Sequence, residues 1–333
     1  MKAPAFWREP KSLLARALSP LGSLYGLVTA WRMKRRGRIA NVPVICIGNL
    51  TAGGAGKTPL VLALGKALIE AGERPVVVSR GYGGSLPGPV QVLPDQMRAA
   101  ECGDEPLLLA RTLPVIVARQ RLQGVALAEK IGASLVLLDD GLQNPQPAKD
   151  VSIAVIDAGF GFGNGFCIPA GPLRAPVASQ IQHVDAVVII GLKRQRMMAD
   201  LSQIMAQSGK PVLAAFFEPN GAAVAALRGR PLLAFAGIGR PQKFFETLAD
   251  AGLEVTEAQA FADHHPYTQA DLEALRQRAT ARALSLVTTE KDWVRLPAGS
   301  SAAISVLPVT LMFETDGLSA LLSLIIARKR SWP

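Results

Sequence analysis

Gly48-Asn-Leu-Thr-Ala-Gly-Gly-Ala-Gly-Lys-Thr58 is the stretch on which the fold turns. Before it lies an apolar run at residues 42–47, the pattern of a buried parallel strand; after it, residues 59–71 read as a helix closed by Gly72. Strand, glycine-rich loop and helix in that order make a phosphate cradle. Gly53, Gly54 and Gly56 let backbone N–H groups turn toward an anion, Lys57 reaches the outer phosphates, and the Thr58 hydroxyl sits at a helix N-terminus where it can ligate Mg²⁺. Thr51, Ala52, Gly53, Gly54, Ala55, Gly56, Lys57 and Thr58 are therefore the candidate nucleotide-binding residues. The loop departs from G-x-x-x-x-G-K-[ST] at one place, with Thr51 at the first glycine position.

Working outward, Leu135-Val-Leu-Leu-Asp139-Asp140 is a hydrophobic strand ending in acid, the form that completes a magnesium sphere beside such a loop. Further apolar runs at 75–79, 114–118, 151–156, 184–190 and 212–217 alternate with helix-length stretches, including 121–131 and a helix near 194–207. This is the rhythm of a parallel α/β fold. Around residues 219–230 the chain becomes loop-like and rich in Gly and Ala, and a second unit follows, with strands near 232–236, 285–288 and 303–308 and helices near 242–251 and 269–279. The expected fold is α/β and P-loop NTPase-like: a mostly parallel sheet with flanking helices, a second smaller α/β domain, and an N-terminal amphipathic helix at a membrane interface. The division runs 1–40, 41–218, 219–316 and a C-terminal helix at 317–333.

Charge is confined to the ends. Residues 1–40 hold nine Lys and Arg against the single acid Glu9, a formal +8, and Arg328, Lys329 and Arg330 add three more; the total of +10 leaves the body at −1. A nucleic-acid binder spreads cations over a working face, so that class is excluded. Residues 17–31 carry no charge but include Pro20, Gly22 and Gly26, fall short of the ~20 apolar residues of a spanning helix, and run into Arg32, Lys34, Arg35 and Arg36. Leu21, Leu24, Tyr25, Val28 and Trp31 recur at helical spacing, which suits a helix lying on anionic headgroups; the alternative is a helix packed on the protein's own core. Cys46, Cys102 and Cys167 are scattered, with no metal spacing, and indicate a reducing compartment.

Other polar clusters mark the rest of a site. Ser79-Arg80-Gly81-Tyr82-Gly83-Gly84 puts Arg80 at the carboxyl end of a strand, where open α/β sheets bind ligands. Gly103-Asp104-Glu105-Pro106 sets two acids before an apolar helix, as caps or as general-base and metal groups. Gln143 follows the strand-end acids, and a glycine-rich stretch, 159–174, ends in Arg174. Phe261-Ala-Asp263-His264-His265-Pro-Tyr267 holds two of the three histidines, and a single catalytic His oriented by Asp263 is the natural reading of the residues alone.

GNLTAGGAGKTP, SRGYGG, GDEP, LLDDGLQ, PAGPLRAP, FADHHPY and TTEKDWVRL, in that order behind a basic apolar helix, resemble the tetraacyldisaccharide 4′-kinase family of lipid A biosynthesis over about residues 15–296. The resemblance implies ATP-dependent phosphorylation of the 4′-hydroxyl of a tetraacylated glucosamine disaccharide 1-phosphate at the cytoplasmic face of the inner membrane, with ATP and Mg²⁺ as cofactors. It implies Asp104 as the base paired with His264, Lys57 and Asp140 as further catalytic groups, Thr58, Asp139 and Glu105 at the metal, and Arg80, Gln143 and Arg174 at the substrate. The implied partners are the lipid disaccharide and an anionic membrane surface, with no nucleic acid and no obligate protein partner. A P-loop switch or metallochaperone is the competing class; the chain has no clear N-K-x-D motif and no Cys/His cluster to support it. A relic nucleotide site is the third, and intact Gly56-Lys57-Thr58 with Asp139 argues against decay.

Overall fold

The computed structural model describes residues 4–191, 206, 208–297, 299–300 and 303–330, so the helix expected near 194–207 lies outside the described residues. The strands are β1 (Val44–Asn49), β2 (Pro75–Ser79), β3 (Val90–Gln91), β4 (Val115–Val117), β5 (Leu135–Asp139), β6 (Val151–Asp157), β7 (Ala186–Ile190), β8 (Val212–Pro219), β9 (Leu232–Ala236), β10 (Val255–Ala260), β11 (Ser285–Thr289), β12 (Ile304–Leu307) and β13 (Val309–Phe313). The described helices are α1 (Leu13–Met33), α2 (Lys57–Glu70), α3 (Ala99–Cys102), α4 (Asp104–Ala110), α5 (Arg121–Lys130), α6 (Val177–Ile181), α7 (Gly221–Leu227), α8 (Pro241–Asp250), α9 (Gln269–Ala281), α10 (Glu290–Trp293) and α11 (Gly317–Arg330).

Nine strands form the main sheet in the order β13-β8-β7-β6-β1-β5-β2-β4-β3. Its seven inner strands are parallel, and antiparallel β3 and β13 close the two edges. Strands β1, β2, β5, β6 and β7 are buried at every position, which is why they read as unbroken apolar runs. One face packs on Leu60, Val61, Leu64 and Leu68 of α2, Leu107 and Leu109 of α4, and Leu321 and Ile325 of α11. The other packs on Val125 and Ala128 of α5 and Ile181 of α6.

The second sheet, β10-β9-β11-β12, is parallel throughout and carries α7 and α8 on one face and α9 on the other. It is inserted between β8 and β13, which pair antiparallel with Val309 opposite Pro219. Residues 309–313, which the division by sequence assigns to the second unit, are thus an edge strand of the main sheet, and α11 packs on α2 rather than standing apart. Pro308 breaks the β12–β13 run, and only the return pairing with β8 shows where its second half belongs.

The N-terminal helix is longer than the uncharged run 17–31 suggests. At 21 residues α1 is long and apolar enough to cross a membrane by length and composition. Ser12 caps it, accepting the Ala15 N–H, and the helix continues through Pro20. Its buried positions are the small ones, Ala15, Gly22, Gly26, Thr29 and Ala30, with Met33. A Cβ on Gly22 would stand 2.6 Å from the Cys167 carbonyl, and one on Gly26 would stand 2.7 Å from Cys167 Sγ, so the backbone lies directly on the 159–174 loop. The large side chains point away: Leu13, Leu21, Leu24 and Leu27 are 59–80% exposed.

Candidate active site

The loop after β1 is held open by its backbone. Gly53 and Gly56 have φ of +113° and +92°, a region costly for side-chain-bearing residues, and a Cβ on Gly56 would come within 2.8 Å of Ile190. The Asn49 side-chain amide donates to the Gly53 carbonyl at 2.7 Å and closes the turn. Thr51 needs no glycine: it has no positive φ, is buried, and bridges Leu173, while the Ala52 N–H donates to the Pro172 carbonyl at 2.8 Å. The Pro-Ala-Gly-Pro-Leu-Arg174 segment is therefore a brace for the loop as well as the carrier of a cation.

Lys57 and Thr58 open α2 with little exposure. Lys57 Nζ lies 3.9 Å from Asp140 Oδ2. Arg174 grips the same carboxylate with both arms, at 2.7 and 2.9 Å, and also donates to Gln143 Oε1 at 3.2 Å. Gln143 Nε2 is engaged with the Asn49 carbonyl and Gln180 Oε1, so its amide fixes Arg174 to the loop. Burial works against ionisation of Asp140, but Lys57 and Arg174 outweigh it and hold the carboxyl well below its ordinary range. Arg121, which the sequence reading passed over, donates to the Asp140 backbone carbonyl, and its buried Nε has no partner. Its position just beyond the carboxyl end of β4 was the available signal. Arg80 is exposed at the carboxyl end of β2.

Asp139 differs from its neighbour. Ser79 Oγ donates to its Oδ2 at 3.1 Å, while Oδ1 is buried with no partner. Burial and then the charge of Glu105 push this carboxyl up to about 7, with Lys57 pulling the other way. An orphaned carboxylate oxygen beside a phosphate loop fits a divalent cation. Thr58 and Glu105 are the other candidate donors, although among the described residues no three acidic, His or Cys groups already converge as a cage. A site completed by phosphate oxygens and water has that character.

The raised Asp139 carboxyl sets a pH dependence. Below about pH 4 both native and unfolded chains hold the proton; between there and about 7 only the native chain does, so stability falls as pH rises through that window and levels off above it. Asp139→Asn lacks this loss. Its melting temperature without nucleotide should therefore gain on the parent's as pH rises from 4 to 7, read by thermal denaturation; a gap that is flat with pH contradicts the assignment.

The second unit supplies the other wall. Asp104, 4% exposed at the side chain, lies with its Oδ2 2.8 Å from His264 Nδ1, 3.5 Å from Arg295 Nε and 3.8 Å from Lys291 Nζ. Its Oδ1 accepts the Glu105 N–H at 2.9 Å. Burial alone would raise this carboxyl, but the His264 hydrogen bond and the charges of Lys291 and Arg295 together hold it below its usual value. Lys291 also binds Glu105 at 2.9 Å. Asp263, the orienting acid suggested by adjacency, lies 3.8 Å from His264 Nε2 and is beyond hydrogen-bond reach. His265 turns away to Asp271 at 3.1 Å and stacks on Phe261.

His264 and Asp140 have φ near +58° and +56°. Left-handed backbone at non-glycine residues is sparse, and it clusters where structure holds a functional side chain in place. Lys291 and Arg295 belong to the TTEKDWVRL segment, but nothing in its local pattern tells that α10 faces Asp104 across the cleft. A separate bridge, Arg240 and Lys243 to Asp157 at 2.6 and 3.1 Å, also ties the second unit to the carboxyl edge of the main sheet. Phosphate loop, unpartnered carboxylate, cations and a cross-unit Asp–His pair are the parts of a phosphoryl-transfer site.

Comparison with known proteins agrees. A family model described as tetraacyldisaccharide-1-P 4′-kinase matches residues 14–327. A tetraacyldisaccharide 4′-kinase of Methylobacterium sp. (strain 4-46) is 54% identical over 331 residues, covering 99% of this chain and 98% of the relative. One from Nitrobacter winogradskyi is 53% identical, covering 95% of each chain. Among solved structures, LpxK from Aquifex aeolicus in complex with ATP superposes with a TM-score of 0.75 at 26% identity, over 95% of this chain and all of that one.

Proposed function

The chain belongs to the tetraacyldisaccharide 4′-kinase family, and from that premise we propose how its residues divide the work of moving a phosphoryl group from ATP to the 4′-hydroxyl of a tetraacylated glucosamine disaccharide 1-phosphate. The observation that carries the reading is the 2.8 Å contact between Asp104 and His264, made across the cleft to a unit that also carries the phosphate loop.

Asp104 accepts the proton of the sugar hydroxyl. His264 Nδ1–H donates to Oδ2, which orients the carboxylate and leaves a lone pair for the incoming proton. Phosphoryl transfer passes through a loose transition state, so a weakly basic carboxylate suffices as long as it is positioned. Lys57 meets charge on the transferred group. Asp139, Thr58 and Glu105 would hold Mg²⁺, which would supply neutralisation of phosphate charge when bound. Asp140 keeps Lys57 and Arg174 together, and Arg174, with Arg80, would meet the phosphorylated lipid.

The exposed face of α1 supports attachment to the cytoplasmic face of the inner membrane through anionic headgroups. Large apolar side chains outside, small ones inside, and the Arg35 guanidinium 4.0 Å over the exposed Trp31 ring form the pattern of an interfacial helix. That helix lies on the loop that ends in Arg174, so acyl chains and the reacting headgroup would approach from one side. Leu24→Asp with Leu27→Asp should release the protein from vesicles containing anionic lipid while leaving ATP affinity unchanged. Equal recovery in the vesicle pellet rejects the attachment.

The overall reading is tested with γ-labelled ATP and the detergent-dispersed lipid. Label on the lipid, lost in Asp104→Asn, is the expected result. Label released only as free phosphate supports the switch class instead.

A further inference from the structure

We propose that Arg295 is the positioning residue that sets His264 against Asp104, and that the buried Asp292 orients Arg295 for that task. The inference rests on the reading of Asp104 and His264 as the reacting pair.

Arg295 is 5% exposed at the side chain, and its guanidinium is shared among both units. Nη2 donates to the Gly237 carbonyl at 3.0 Å, Nη1 to the His265 carbonyl at 3.2 Å, and Nε to the Lys291 carbonyl at 3.1 Å. The Gly237 carbonyl also accepts the His264 N–H at 3.0 Å. One planar cation therefore holds the residue after His264 and the carbonyl that receives His264's own N–H. It does so around a histidine whose left-handed φ of +58° needs such support. The same Nε lies 3.5 Å from Asp104 Oδ2, the atom that His264 contacts. A residue serving only the fold of the second unit has no need of that approach; by making it, Arg295 meets Asp104 directly while it supports His264 through the Gly237 and His265 carbonyls.

Asp292 fixes the cation's plane. It is fully buried, and Oδ1 accepts the Gly237 N–H at 2.8 Å, the Tyr267 hydroxyl at 2.8 Å and Arg295 Nη2 at 2.6 Å. Oδ2 accepts the Thr289 hydroxyl at 2.6 Å. A Cβ on Gly237 would stand 3.2 Å from Asp292 Oδ1 and 3.0 Å from the Ala262 carbonyl, so the strand end and the His264 loop close tightly around this carboxylate. A buried carboxylate with every partner filled specifies one arrangement of its neighbours. A lysine at 295 would keep the charge but not the fork that reaches several acceptors in one plane.

The test measures turnover, the KM for ATP and melting temperature in Arg295→Lys and Asp292→Asn, each also in a His264→Gln background. Both single variants should lose about ten- to a hundred-fold in kcat, the range for residues that orient a reacting side chain, with the KM for ATP unchanged. Neither should slow the His264→Gln enzyme further, since the step they support is already gone. A merely structural role would lower the melting temperature and leave kcat of the folded protein as in the parent. That result, or losses that multiply with His264→Gln, overturns the proposal. Full turnover in His264→Gln alone overturns the underlying reading and the proposal with it; loss in His264→Gln with parental turnover in both other variants removes only the proposal.

Discussion

Asp104→Asn should lower kcat by about 10²- to 10⁴-fold, the usual worth of a positioned general base, with ATP affinity unchanged. The substitution keeps the shape of the side chain and its place at the start of α4. It removes one negative charge from beside two cations, yet Lys291 retains Glu105 at 2.9 Å and Arg295 retains Asp292 at 2.6 Å, so neither cation is left without a partner. The nucleotide loop has no hydrogen bond to Asp104 among those described. Steady-state transfer to the lipid, with ATP binding measured separately by calorimetry, checks both halves. An enzyme with parental turnover takes Asp104 out of the base role.

Lys57→Ala should fail differently, losing affinity for ATP as well as about 10²- to 10³-fold in kcat, the scale of removing one preorganised donor to developing charge. Lys57 is a nearly buried cation that lowers Asp140, Glu105 and Asp139 together. Removing it leaves the carboxylates facing one another with less compensation, and Asp139 moves further above its value of about 7. The variant should therefore also bind Mg²⁺ more weakly at neutral pH, because a protonated carboxyl is a poor ligand. The two substitutions together separate the roles: one affects kcat alone, the other both binding and kcat. A Lys57→Ala enzyme with unchanged ATP affinity contradicts the assignment.

Much of the main sheet was legible because its inner strands are buried on both faces and so have no polar positions to obscure them. The strands that escaped notice are those without that environment. β10 alternates half-buried and exposed residues, Val255-Thr-Glu-Ala-Gln-Ala260, and lies at the edge of its sheet. β3 has only two residues, and β13 is recognisable only through pairing with β8. Helix α7 falls in what reads as a Gly/Ala-rich loop; Asn220 caps it by accepting the Ala223 N–H, a local signal that the composition masked.

The site divides in the same way. Loop residues 51–58 are a local device, visible as a sequence because backbone curvature and phosphate chemistry both act within a few residues. The Asp104–His264 contact joins positions 160 residues apart. Residue chemistry alone offered Asp263 as the orienting acid; the pairing with Asp104 came only from the resemblance. Arg295 and Asp292 carried no local sign of their part, since a buried ion pair on α10 and its flank gains meaning only when the second sheet is packed against α4.

In the proposed mechanism Asp104 and His264, one from each unit, act as a single proton-accepting device. Single-turnover transfer of γ-labelled phosphate to the lipid, with enzyme in excess, should be compared in the parent, Asp104→Asn, His264→Gln and the double variant. Groups that act as a unit lose most of their effect together. The double variant should be no slower than the slower single one; losses that multiply across the two substitutions, or parental transfer in Asp104→Asn, would rule out a joint device.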